Sequence, residues 1–345
     1  MPAEWERHRA TWIGWPHNRS DWPGKFDAIP WVYADIVRHL SRVEEVNIIV
    51  GSVRERADAR SILNRSHANL NKVKFHLWPT DRGWTRDSGP IFLRRDTAMD
   101  AVALTDWRFN AWAKYPNWKN DNQLPERIHK KLKLNKFTPV FEKKGKPHHV
   151  VLEGGSIDVN GKGLMLTTEE CLLSRVQQRN PGLSREALER TFADYLGIEK
   201  VIWLGRGIAG DDTHGHVDDI SRFVSADTVL TVVEPSRGDV NYEPLQENLN
   251  RLRNTTNIEG RKLEIVELPL PRPVIFHGQR LPASYANFYI ANQLVLVPTF
   301  NDPHDRLALN ILAGLFPGRE VVGIHCGDFI WGLGAIHCMT QQQPA

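Results

Sequence analysis

Short β-branched runs alternate with stretches of helical period along the whole chain. Residues 45–50 (EVNIIV), 73–77, 101–105, 164–167, 200–204, 228–233, 263–268 and 294–298 read as strands. Helices are predicted in the stretch carrying Arg54, Ala57, Ile62 and Leu63, and over 124–134, 184–196, 242–253 and 305–315. The helix at 184–196 opens on Ser184 with Glu186 and stops before Gly197, a start and stop pattern. Such alternation predicts an α/β fold. Pro and Gly cluster only in loop-sized groups, at 269–273 and 205–210, so one compact body over residues 1–345 is expected.

Composition adds exclusions. The 345 residues are 41% hydrophobic and 25% charged, ordinary for a globular enzyme. With 44 basic and 41 acidic residues the net charge is +3, which leaves no footprint for nucleic acid or an anionic membrane surface. No run of about 18 apolar residues exists for a spanning helix. The opening MPAEWERHRATW lacks a basic segment followed by an apolar one, so a cytoplasmic chain is expected. Three cysteines without a CxxC pair make no disulfide framework and leave reduced thiols available for chemistry.

Polar motifs punctuate the alternation at broadly similar intervals: Asp87 in WTRDSGP, Glu153 in EGGS, His216 and Asp218 in HGHVDD, Asn287 in SYANF and Cys338 in IHCMTQ. No strict repeat accompanies them, so a modular reading from spacing alone stays open. Asp87, Glu153 and Asp218 sit in or near glycine-containing, loop-like sequence. Converging carboxylates suit a delocalised planar cation, although each could equally be a turn carboxylate or helix cap. Cys338 follows the glycine-rich Gly332–Gly334 stretch and stands beside His337. A cysteine nucleophile reacts as its thiolate, which nearby carboxylates disfavour and a bound cation restores. Cys326 shares the Ile-His-Cys run and is locally almost as good a candidate, whereas Cys171 reads as a small buried hydrophobe in a helix's first turn. A rival reading comes from His214-Gly215-His216-Val217-Asp218-Asp219, close to the HxHxDH zinc loop of metallo-β-lactamase-like hydrolases. Against it, Asp219 stands where that loop has histidine, the loop lies past the middle of the chain, and His148, His149, His277 and His304 lack supporting motifs as outer ligands.

Taken together, the motifs resemble the agmatine deiminase and bacterial peptidylarginine deiminase family, within the guanidine-modifying superfamily of pentein fold. The resemblance is carried by Met1–Trp5, Trp12–Pro16, Trp84–Pro90, Leu152–Ser156, Thr167–Leu173, Asp211–Asp219, Ser284–Asn292 and Trp331–Gln342. It implies a five-bladed α/β propeller of ββαβ modules with the active site on a pseudo-fivefold axis. It also implies that Asp87 and Asp218 pair with a guanidinium, that Glu153 and His216 support proton transfer, and that Cys338 attacks the guanidinium carbon. Cys326 lacks the Met339-Thr340-Gln341 context of that cysteine. No metal or organic cofactor is implied. The expected partner is a small guanidinium compound, agmatine first, with free arginine and peptidyl-arginine as alternatives; homo-oligomeric assembly is open. Free arginine would need a basic partner for its carboxylate, agmatine an acidic or aromatic one for its amine. Trp84, Trp331, Asn287 and Asp212 are candidate substrate-binding residues, the tryptophans by stacking on the cation if they are not core. The family's tail usually reads Gly-Gly-Gly-Asn before Ile-His-Cys; Leu333 and Ala335 depart from it, which puts specificity rather than chemistry in question.

Overall fold

The computed structural model describes residues 1–95, 102–143 and 145–345. Within them one sheet pattern recurs: a short strand pairs antiparallel with a longer one, and a helix carries the chain to a third, parallel strand. Ile91–Arg94, Val102–Thr105 and Asn135–Phe137 form one such sheet around helix Leu124–Leu132. Asp158–Val159, Leu164–Thr168 and Lys200–Leu204 form the next, with helix Arg185–Leu196. Ser221–Phe223, Thr228–Val233 and Glu264–Pro269 follow with helix Tyr242–Arg253, then Tyr289–Ile290, Leu294–Thr299 and Glu320–His325 with helix His304–Leu315. In the fifth sheet the short strand comes from the far end of the chain. Thr340–Pro344 pairs antiparallel with His8–Gly14, which lies parallel to Glu45–Val50 through helix Ile29–Val43; Val73–Leu77 adds a further parallel strand after helix Val53–Arg65.

The predicted α/β class therefore holds, and the eight predicted strands and five predicted helices all exist, with ends shifted by two residues or fewer where predicted ends are compared; Ala101 lies outside the described residues. Helix Arg185–Leu196 starts on Ser184, whose hydroxyl accepts from the Ala187 amide, and stops at Gly197 with φ 69°. Missing from the prediction are His8–Gly14, Glu320–His325, Thr340–Pro344, helix Ile29–Val43 and the short leading strands. Several carry polar side chains satisfied by distant partners: the Thr11 hydroxyl lies 2.7 Å from that of Tyr289, and Gln342 accepts from Arg86 at 2.6 Å. Apolar periodicity is weak where polar groups are buried in pairs. No helix among the described residues is long and apolar enough to cross a membrane.

A buried charge network fastens the sheets to one another. Glu4 accepts from Arg222 at 2.9 Å, Arg86 at 3.0 Å and the Ile290 amide at 2.9 Å, and lies 2.8 Å from His337 Nε2. Arg222, with no exposed side-chain surface, also pairs with Asp158 and donates to the Phe288 carbonyl at 2.7 Å. Burial alone would push the Glu4 carboxyl up, but the Arg222, His337 and Arg86 charges hold it well below the carboxylate range. Replacing Arg222 by leucine leaves Glu4 and Asp158 under-compensated, so a loss of about 3–5 kcal/mol is expected. Urea unfolding of Arg222→Leu measures it; a midpoint equal to the parent protein's would contradict the role given to this network.

Candidate active site

Each sheet's short leading strand is preceded by a turn that carries one of the polar motifs. Asp87 sits on the helical turn Thr85–Ser88 ahead of Ile91–Arg94, and Glu153 precedes the turn Gly154–Ser156 ahead of Asp158–Val159. His216 and Asp218 lie at the turn before Ser221–Phe223, Asn287 before Tyr289–Ile290, and Cys338 within Ile336–Met339 before Thr340–Pro344. The turns converge. A Cβ on Gly155 would stand 2.6 Å from His216 Nδ1, 2.8 Å from Asp87 Oδ1 and 3.0 Å from Asp218 Oδ2, so only glycine lets backbone pass between them.

Asp87 is aimed by two donors, the Gly155 amide to Oδ1 at 2.9 Å and the Trp112 indole to Oδ2 at 2.8 Å. Burial pushes its carboxyl up to about 6, with the Asp218 and Glu153 charges adding and His216 opposing. Asp218 Oδ2 lies 2.7 Å from His337 Nδ1 and 3.6 Å from the Cys338 sulfur, while its Oδ1 has no hydrogen bond in the protein. Burial would raise Asp218, but His337, His216 and Arg222 hold it low. Cys338 runs the other way: burial first, then Asp218, Asp219 and Asp87, push its thiol well above the usual range. A cation placed among these carboxylates would reverse that.

His216 is wholly buried and neither ring nitrogen makes a hydrogen bond; Asp87 lies 3.8 Å from Nδ1 and Glu153 3.8 Å from Nε2. Burial would lower its pKa, but the Asp87 charge, with Cys171 and Glu153 beside it, raises it well above the histidine range. Glu153 is buried yet held down to about 2 by Arg179, whose Nε donates to it at 3.1 Å. The site thus sets a histidine held toward its charged form against the charged Glu153, beside a buried thiol and the Asp87 and Asp218 carboxyls.

Above Cys338 opens a cavity of about 430 Å³ lined by Asp87, Trp84, Trp112, Tyr115, Asp212, Trp331 and Leu333, with Asp21 and Arg82 farther along its wall. Trp84 and Trp331, candidates from sequence, line it; Trp84 packs on Trp22 and Trp331 on Phe276. Asn287, also a candidate for substrate binding, does not. Its amide donates to the Cys338 sulfur at 3.1 Å and to Asp219 at 2.9 Å, and its oxygen accepts from the His337 amide at 3.0 Å, so it clamps the cysteine turn. Asp212 reaches the cavity wall with both oxygens already engaged, by Lys114 and by the Tyr115 hydroxyl at 2.7 Å. Leu333 adopts the left-handed region at φ 66°, a conformation that costs a non-glycine residue about 1–2 kcal/mol.

Two residues, Trp112 and Arg179, escaped the sequence reading, and His337 was named there only as the neighbour of Cys338. Trp112 stands in a run of left-handed backbone, Ala111 to Ala113, tied down by the Gln177 amide; Arg179 and His337 complete the charge pairs. No motif singled out Trp112 or Arg179, and their signal is spatial. Cys171 is buried, as expected, but not remote: its sulfur and ligand atoms of Glu153 and His216 lie within 4.8 Å of one another. Cys326 is buried in the core after strand Glu320–His325 and does not line the cavity. The zinc-loop donor set is not assembled among the described residues. His214 turns to Ser174 at 3.2 Å, away from His216 and Asp218, while His304 is engaged by the Leu270 carbonyl and His277 packs on Phe276.

A buried thiol among carboxylates, with a histidine–glutamate pair behind them, suits a thiol enzyme acting on a planar cation. The chain belongs to the Porphyromonas-type peptidyl-arginine deiminase family, which it matches over residues 1–344. It is similar to the agmatine deiminase of Medicago truncatula, 36% identical over 377 residues that cover 100% of this chain and 96% of that protein. Among solved structures, the agmatine deiminase of Enterococcus faecalis superposes with a TM-score of 0.89 at 31% identity, covering 100% of this chain and 95% of that one. A cysteine-to-serine variant of C. jejuni agmatine deiminase with substrate bound superposes at 0.86 and 28% identity, with 100% and 96% covered.

A carboxyl can pair with a cation only when ionised, and that of Asp87 has its pKa raised to about 6. On a guanidinium substrate, kcat/KM should therefore fall as pH drops through about 6, above the limb near 4 of an ordinary aspartate. A pH–rate profile with its acid limb at 4 or below would contradict this assignment.

Proposed function

We propose that the chain is a cysteine-dependent deiminase that hydrolyses the guanidinium group of a small molecule to a urea with release of ammonia, and that agmatine, giving N-carbamoylputrescine, is its substrate. The observation that carries this reading is that Asp87 and the Cys338 thiol line one cavity, with Asp218 buried 3.6 Å from the sulfur and His216 against both carboxylates. The names of the relatives support agmatine, and the carboxylates and aromatic rings along the cavity suit its distal amine. Free arginine and peptidyl-arginine are the alternatives of the same chemistry. The five like sheets, each led by a motif-bearing turn, support a five-bladed propeller forming a single catalytic domain, with the site on its axis. A reduced thiol suits the cytoplasm.

In this mechanism Asp87 and Asp218 grip the planar cation by charge-assisted hydrogen bonds and set its carbon over the Cys338 sulfur. The cation's charge offsets the carboxylates that hold the thiol protonated, and the thiol releases its proton to solvent. Thiolate attack forms the carbon–sulfur bond, and protonated His216 gives its proton to the departing nitrogen as the carbon–nitrogen bond breaks, freeing ammonia. Water then enters the S-alkylthiouronium. Neutral His216, paired with Glu153, takes one proton from it as oxygen bonds to carbon; the proton left on that oxygen passes to sulfur as the carbon–sulfur bond breaks, returning the Cys338 thiol and a urea. Asn287 steadies the sulfur throughout.

Ammonia release from agmatine should fall about 10⁴-fold or more in Cys338→Ser and stay near the parent rate in Cys326→Ser. It should be indifferent to EDTA and blocked by an alkylating haloamidine. Full activity of Cys338→Ser, or loss of activity to chelator, would overturn the reading.

A further inference from the structure

The wall of the cavity carries an ion pair that the deiminase chemistry does not use. Asp21 and Arg82 both line the cavity and bond to one another through Oδ1 and Nη1, with side chains only 1% and 11% exposed. Arg82 is held from three sides. Its guanidinium lies 4.3 Å over the Tyr115 ring, its Nη2 donates to Asn117 at 3.3 Å, and its backbone amide donates to Asp121 at 3.1 Å. Yet Arg82 Nε and Asp21 Oδ2 are both buried without a hydrogen bond. One is a donor and the other an acceptor, side by side, and a buried polar atom left unpaired is costly.

The distal amine of agmatine offers donors alone. It could use Asp21 Oδ2 but would leave Arg82 Nε unpaired and add a positive charge beside the guanidinium. Asp212 already carries Lys114 and Tyr115, one on each oxygen, so an amine there would share acceptors in use. A ligand that pairs with both atoms needs an acceptor beside a donor, and it bonds them most strongly when the acceptor is anionic and the donor cationic. The two substituents of an α-amino-acid carbon meet that requirement.

We propose that Arg82 and Asp21 form a distal subsite for the α-carboxylate and α-ammonium of a free guanidino amino acid, so that this chain accepts free arginine alongside agmatine. The proposal rests on the deiminase reading and adds to it a basic partner that discriminates by the charge at the far end of the substrate. Arg82 takes the carboxylate through its unpaired donor, and Asp21 takes the ammonium through Oδ2.

The test is ammonia release by the full chain from agmatine, L-arginine, arginine methyl ester and a blocked arginine peptide, before and after Arg82→Gln. The expected result is a kcat/KM for arginine within about tenfold of that for agmatine. Arg82→Gln should then lower the arginine-to-agmatine ratio at least tenfold, through KM. The ester, which lacks the carboxylate, should be at least tenfold poorer than arginine on the parent protein, and this comparison decides the matter if the variant does not fold. Turnover of agmatine with arginine a thousandfold slower, an ester as good as the acid, or a blocked peptide preferred over arginine would each overturn the subsite. Ammonia from none of the four would overturn the deiminase reading instead.

Discussion

Two arginines, three carboxylates and a histidine, all buried, set the frame on which the rest of the molecule depends. Arg86 and Arg222 converge on Glu4, Arg222 also holds Asp158, and His337 bridges Glu4 to Asp218. These residues come from five of the turns and leading strands and from the chain's first turn, so their pairing fixes how the sheets meet. A network of this kind has little net worth against an apolar core of the same volume, but breaking it is expensive. Its gain is registry. His337 precedes the candidate nucleophile and touches the carboxylate beside it, so the same network sets the distance from Asp218 to the Cys338 sulfur.

The site above that frame is electrostatically unfinished. Asp87 is forced up to about 6 and the Cys338 thiol well beyond its ordinary range by burial and like charge, whereas Glu153 is neutralised by Arg179. Asp218 Oδ1 stays without a hydrogen bond. Groups held in this condition favour an incoming planar cation, which satisfies the open acceptor and lowers the cost of the thiolate in one step. Perturbed titratable groups gathered under a cavity are the usual mark of an active site.

How much of this was legible in the sequence depended on where polar groups went. Central strands such as Thr228–Val233 and Leu294–Thr299 are β-branched and buried, and their apolar runs announce them. Thr340–Pro344 reads TQQQP and could not be seen, because its glutamines are buried through partners as distant as Arg86 and Trp12. At the site, glycine-flanked acids and the terminal His-Cys run gave the chemistry, since backbone must pass close to the ligand there. Side-chain direction is not written in a motif. Asn287 bonds the cysteine turn, and Asp212 meets Lys114 and Tyr115, pairings that only the fold creates. Trp112 and Arg179 had no motif to mark them, and their importance comes from what they touch.

The claim that stands or falls most directly is that the Cys338 sulfur becomes covalently bonded to the guanidinium carbon during turnover. Rapid acid quench of the enzyme with excess substrate, followed by peptide mass spectrometry, tests it. The account predicts an amidino adduct on the C-terminal peptide carrying Cys338, absent from the peptides carrying Cys171 and Cys326. Steady turnover with no adduct on Cys338, or an adduct on either of the other cysteines, would contradict it.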